Sequence, residues 1–136
     1  MNTNKVSLQI IDPAEIANQN IKENADFYLD RLRHNSVSNV KDNWPDFHKL
    51  SNDSNNIGAY LLYIFNHPGK GDWKIVYSVQ SNNFHGGMYN LIFCKYAKLV
   101  EEKPVKGYRD SLWQWVTKAF FITELGEAVL KQNGLI

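Results

Sequence analysis

Between Asn83 and Leu130 the apolar positions change period twice. Phe84, Met88, Leu91, Ile92 and Leu99 recur at intervals of three, four and seven, one face of a helix. Leu99-Val100 followed by Glu101-Glu102-Lys103 then reads as a short strand leaving that helix. A second strand-like run, Trp113 to Thr123, is followed at once by the helical pattern Glu124 to Leu130. The predicted order is helix, strand, loop, strand, helix, with Pro104 to Leu112 as the loop.

Upstream the pattern is helical with polar breaks. Lys5 to Ile11 reads as a short strand or an ordered lead-in. Asp12-Pro13-Ala14-Glu15 is a helix start: Asp12 can accept from an unpaired amide, Pro13 suits the first turn, and Glu15 can reach back. Ile16, Ile21, Ala25, Tyr28, Leu29 and Leu32 form the stripe of the helix that follows, which ends near His34-Asn35. That helix either packs on the rest of the chain or pairs with a second subunit. Residues 35–56 turn polar around Trp44-Pro45-Asp46-Phe47-His48, a connection anchored by Trp44 and Phe47, with room for a helical turn at Pro45 to Leu50.

Ser54 or Asn55 can cap the next element, Ile57 to Phe65, whose Ile57, Tyr60, Leu61, Ile64 and Phe65 fit a helix, although the aromatic and branched content also suits a buried strand. Asn66-His67-Pro68-Gly69 stops it. Asp72 is placed to cap a shorter helix, Trp73 to Val79, and Gln80 to Asn83 is the turn into the third helix. The chain thus divides into an extension and connection, 1–54, and a domain, 55–136.

Composition narrows the function classes. Of 136 residues, 43% are hydrophobic and 13% aromatic, enough for a packed core. No run reaches the ~18 to 20 apolar residues of a membrane span, and Met1 to Val6 lacks the apolar stretch of a signal peptide. The single cysteine, Cys94, cannot form an internal disulfide and reads as a small core residue, so a cytoplasmic location is expected. Net charge is +1 overall, but residues 1–56 carry six basic side chains against eight carboxylates and residues 57–136 nine against six.

The passages Lys95-Tyr-Ala-Lys-Leu-Val-Glu-Glu-Lys103 and Phe120-Phe-Ile-Thr-Glu-Leu-Gly-Glu-Ala-Val-Leu130 resemble the winged helix-turn-helix superfamily, in particular small bacterial regulators of the MarR and PadR type. The first is similar to the end of that family's recognition helix, where an apolar pair opens the first wing strand. The second is similar to its hydrophobic-Thr-x-x-Gly ending, where a wing strand turns into a helix. The resemblance covers residues 55–133 and has two departures. Lys98 stands where those families often show a glycine, and Gly86-Gly87 lie near the start of the third helix. It implies an α+β, mostly α fold: a winged-helix core of three helices, a two-stranded wing and a C-terminal helix, with an N-terminal helical extension.

On that reading the protein binds double-stranded DNA as a homodimer and regulates transcription or another DNA transaction. The outward face of the third helix, Asn82, Asn83, His85, Tyr89 and Asn90, would enter the major groove, where asparagine can read adenine. Lys74, Lys95, Lys98, Lys103, Lys106, Arg109 and Lys118 would contact phosphates. Trp113, Trp115, Phe120 and Phe121 are expected to pack the sheet and C-terminal helix rather than stack on bases. Dimerisation is assigned to Pro13 to Arg33 and Glu124 to Gln132. The competing reading is a protein-interaction module, an accessory subunit or small inhibitor, favoured by near-neutral charge and an acidic N-terminal half. His34, His48, His67 and His85 are widely spaced and no phosphate loop or nucleophile motif occurs, so neither catalysis, a metal nor a cofactor is expected.

Overall fold

The computed structural model describes residues 12–23, 45–53, 56–70, 72, 93–110 and 113–136. Within them the protein is α+β. Its elements are α1 (Pro13–Glu23), α2 (Ile57–Asn66), β1 (Val100–Arg109), β2 (Trp115–Ile122) and α3 (Glu124–Gln132), with a further helical stretch at residues 93–96. β1 and β2 form a two-stranded antiparallel hairpin. The expected strand at Lys5 to Ile11, the helix beyond Glu23, the Trp44 anchor, the helix Trp73 to Val79 and the third helix up to Ile92 lie outside the described residues.

α1 starts where Asp12 predicts, its Oδ1 accepting from the Ala14 amide at 2.9 Å. The inward stripe is Ala14, Ala17 and Ile21, all fully buried, whereas Ile16 is only half-buried. At its start α1 lies close against α3, next to the small Ala14: Gln132 Oε1 accepts from Ala14 N at 3.1 Å, and Gln132 Nε2 donates to Asp12 Oδ1 at 2.7 Å. This part of the extension therefore packs on the chain's own core.

The 57–65 run is a helix, not a strand, and its cap is Asn56 rather than Ser54 or Asn55. Asn56 Oδ1 accepts from both Gly58 N at 2.8 Å and Ser51 N at 3.0 Å. One side chain thereby caps α2 and fixes the loop before it. Gly58 lets that loop approach, since a Cβ there would fall 2.2 Å from the Ser51 carbonyl oxygen. Phe47 anchors the upstream turn as expected, fully buried. Its carbonyl accepts from Asn133 Nδ2 at 2.9 Å, while Asn133 Oδ1 accepts from Leu50 N at 3.0 Å.

The helix-to-strand handover occurs at Lys98, which adopts φ +62°. Leu99 N donates to Cys94 O at 2.9 Å and Lys98 N to Lys95 O at 3.1 Å, the paired bonds of a Schellman ending. The Phe120–Leu130 stretch closes on the same point. Thr123 Oγ1 donates to Lys98 O at 2.7 Å and accepts from Gly126 N at 3.0 Å, capping α3. Thr123 N donates to Leu99 O at 3.0 Å. At Gly126 a Cβ would lie 2.2 Å from Leu99 O, so only glycine admits this approach.

One hydrophobic cluster joins these pieces, with Ile21, Phe47, Tyr60, Leu61, Ile64, Leu99, Phe120, Val129 and Leu130 among its members. Cys94 belongs to it, and burial pushes its thiol up from the usual range. The described residues of 1–54 thus share a core with those of 55–136.

The hairpin is longer than the pattern predicted. β1 does not end at Lys103; Pro104 to Arg109, expected as loop, continue it, leaving Asp110, Trp113 and Gln114 as the described residues between the strands. Pairing runs in register from Val100↔Ile122 to Pro104↔Lys118 and resumes at Tyr108↔Val116, with an irregularity between. Pro104 closes the in-register part and Gly107 lies within the irregularity, where a missing side chain is tolerated.

Candidate nucleic-acid interface

The far end of the hairpin is built by a small set of hydrogen bonds. Asp110 N donates to Gln114 O at 3.0 Å and Gln114 N returns a bond to Asp110 Oδ1 at 2.8 Å. Trp113 N donates to Asp110 O at 3.1 Å. The turn so formed holds Trp113 at φ +60°, a conformation that bulky side chains rarely adopt. Arg109 Nη1 then donates to Trp113 O at 2.9 Å.

Two large rings project from this end. Trp113 is 78% exposed and Trp115 60% exposed. The expectation that both pack the sheet and the C-terminal helix fails for Trp113, and Trp115 covers only one face of the hairpin, while Phe120 is buried and Phe121 half-buried. The reason is position: Arg109↔Trp115 is the last pair of the ladder and Trp113 stands in the turn beyond it, out of reach of the core. Trp115 lies over the Gly107 backbone, where a Cβ would meet ring atom Cζ2 at 2.1 Å. The Arg109 guanidinium carbon sits 5.4 Å from the Trp115 ring centre.

The expected phosphate contacts are only partly brought together. Lys95, Lys98, Lys103, Lys106, Arg109 and Lys118 are all exposed. By register, Lys103 (opposite Ala119) and Arg109 (opposite Trp115) share one face, whereas Lys118 (opposite Pro104) falls on the other. Lys103 pairs with Glu101 at 3.0 Å and lies 5.6 Å from the Phe121 ring centre. Lys74, Asn82, Asn83, His85, Tyr89 and Asn90 lie outside the described residues.

An open cleft of about 240 Å³ lies beside the hairpin, with Asp72, Glu102, Asp110, Gln114 and Lys118 in its lining. Asp72 is almost wholly buried, and its Oδ2 accepts from the Tyr108 hydroxyl at 3.1 Å. Burial, reinforced by that carboxylate, pushes the Tyr108 phenol up, and the Lys70 ammonium lies 4.1 Å from its ring centre. Three carboxylates disfavour an anion here, while on the hairpin's other face Lys103 is paired with Glu101.

No group of three His, Cys, Asp or Glu among the described residues could hold a metal ion. His48 Nε2 is 2.7 Å from Asp12 Oδ2, and His67 Nδ1 is 2.9 Å from Tyr63 O. No described helix is long and apolar enough to cross a membrane. The sequence signal for the exposed pair was the alternation of β2, which puts Trp115 with polar Thr117 and opposite in phase to Val116 and Phe120. Comparison with protein-family models, curated proteins and solved structures gives no match to any of them. The class defined by the coordinates is therefore an α+β protein with a projecting, aromatic-tipped hairpin.

Proposed function

We propose that this chain is a DNA-binding winged-helix protein, a regulator of transcription or an accessory factor in another DNA transaction, with the β1–β2 hairpin as its wing. The observation that carries the reading is the charge of the hairpin's outer part. From Lys103 to Lys118 it exposes Lys103, Lys106, Arg109 and Lys118, while its sole carboxylate, Asp110, is buried in the turn. Such a projection offers phosphates more positive than negative charge, with Lys103 shared with Glu101.

A salt titration on mixed duplex fragments tests this, comparing the native chain with Lys103→Ala/Lys106→Ala/Arg109→Ala. If three phosphate contacts are lost, the slope of log affinity against log salt falls by roughly 2 to 3. Absence of binding at low salt would sink the reading. The exposed Trp113 and Trp115 would then favour a protein partner, since aromatic anchors concentrate in such interfaces.

Homodimerisation belongs to the same proposal, because two hairpins would address two half-sites about one DNA turn apart. The buried Ala14, Ala17, Ile21, Val129 and Leu130 are already covered within one chain. A seam through α1 and α3 would therefore use their outer faces. Sedimentation at micromolar concentration checks it, and a monomer removes this part.

A further inference from the structure

We infer that the hairpin tip is a stacking element for unpaired bases, with Trp113 as the inserting ring, so that the protein prefers DNA carrying unstacked nucleotides over intact duplex. The inference rests on the DNA-binding reading above. Three observations meet at one residue. Trp113 is the most exposed of the large hydrophobic side chains described. Its backbone sits at φ +60°, a strained state that persists only when neighbours hold it. Here they do: its N–H is donated to Asp110 O, and its carbonyl accepts from Arg109 Nη1.

The bond from Arg109 also chooses the occupant. It holds a guanidinium against the Trp113 backbone carbonyl and 5.4 Å from the centre of the second ring, Trp115, which is itself seated on Gly107. A ring flanked by fixed positive charge suits a flat, apolar surface attached to an anion, and an unpaired base on its phosphate backbone has that chemistry. In intact B-form duplex each base face is covered by its neighbours, so an indole can stack there only after unstacking a step, at an energetic cost. Unpaired nucleotides remove that cost. Trp113 therefore discriminates by base accessibility rather than by sequence, since every base offers a ring face.

The test is fluorescence anisotropy with two labelled oligonucleotides of one sequence, an intact duplex and the same duplex with a five-nucleotide gap. The native chain, Trp113→Ala and Trp113→Phe are compared. The expected result is about tenfold tighter binding to gapped DNA, the size of one base–aromatic stack. Trp113→Ala loses that preference while its affinity for intact duplex stays within about twofold, and Trp113→Phe retains most of it. Equal native affinity for both DNAs overturns the inference and leaves the DNA-binding reading standing. So does a preference that survives in Trp113→Ala, because it then comes from the flexibility of gapped DNA. Failure to bind either DNA overturns the DNA-binding reading itself, and this inference with it. Removing an exposed ring leaves the core untouched, and matching melting temperatures for the three chains verify that.

Discussion

Replacing Lys98 by glycine should make the protein more stable. Lys98 sits at φ +62°, where the side-chain Cβ crowds the following carbonyl, a cost of about 1–2 kcal/mol for an L-residue. Glycine removes that cost but enlarges the conformational freedom of the unfolded chain, which takes back roughly 0.4–1 kcal/mol. The net expectation is a gain of about 0.5–1 kcal/mol. Nothing offsets it in hydrogen bonding: Lys98 N to Lys95 O, Leu99 N to Cys94 O and Thr123 Oγ1 to Lys98 O all use backbone atoms at the handover and survive the change. The side chain itself is exposed. In urea, with a slope of roughly 2 kcal/mol per molar, the midpoint should rise by about 0.3–0.5 M. Lys98→Ala keeps a Cβ and should stay within about 0.5 kcal/mol of the native chain. A glycine variant no more stable than native, or an alanine variant that gains as much, would refute the backbone explanation and point instead to removal of charge.

Gly126→Ala would favour the helix by about 1 kcal/mol on propensity alone, yet its Cβ would lie 2.2 Å from Leu99 O and 2.9 Å from Ile122 Cγ1. Overpacking typically costs about 1–3 kcal/mol, so a lowered melting temperature is expected, and an unchanged one would show that α3 can move off the handover. Asn133→Ala leaves Leu50 N and Phe47 O without their partner, a loss of about 2–3 kcal/mol in chemical denaturation; a loss below about 0.5 kcal/mol would mean water replaces both bonds. Stability should also depend on pH through the Asp12–His48 contact. The hydrogen bond to Asp12 raises the His48 pKa above 6.5, so this contribution is complete below about 6.5 and lost as pH rises through the folded value. Bonds from Gln132 and then His48 lower Asp12 from 3.8 to about 2, so its contribution is present above 3.8 and lost as pH falls through about 2. Melting curves of the native chain and His48→Gln from pH 3 to 9 should converge at the alkaline end; a constant difference across the range would exclude the linkage.

The elements legible without coordinates were those whose physics is local. Asp12 and Pro13 announced the start of α1, the 57, 60, 61, 64, 65 spacing described α2, and Thr123 ahead of Glu124 marked the turn from strand to helix. Each depends on an amide within a turn or on a periodicity within a dozen residues. What only the tertiary structure decided lies between distant segments. Asn56 caps α2 because it also holds Ser51, and Ala14 and Ala17 face inward with Ile21 because α1 lies against α3, where Gln132 bonds to Ala14. Pro104 and Gly107, turn-formers by themselves, became strand because the partner strand supplies pairing on both sides of the bulge and Trp115 covers the glycine. The alternation of β2 carried a signal that Trp115 faces away from Val116 and Phe120, but an indole reads as core by composition alone. The length of the hairpin, which only the tertiary structure fixes, carries Trp113 and Trp115 past the point where a core exists.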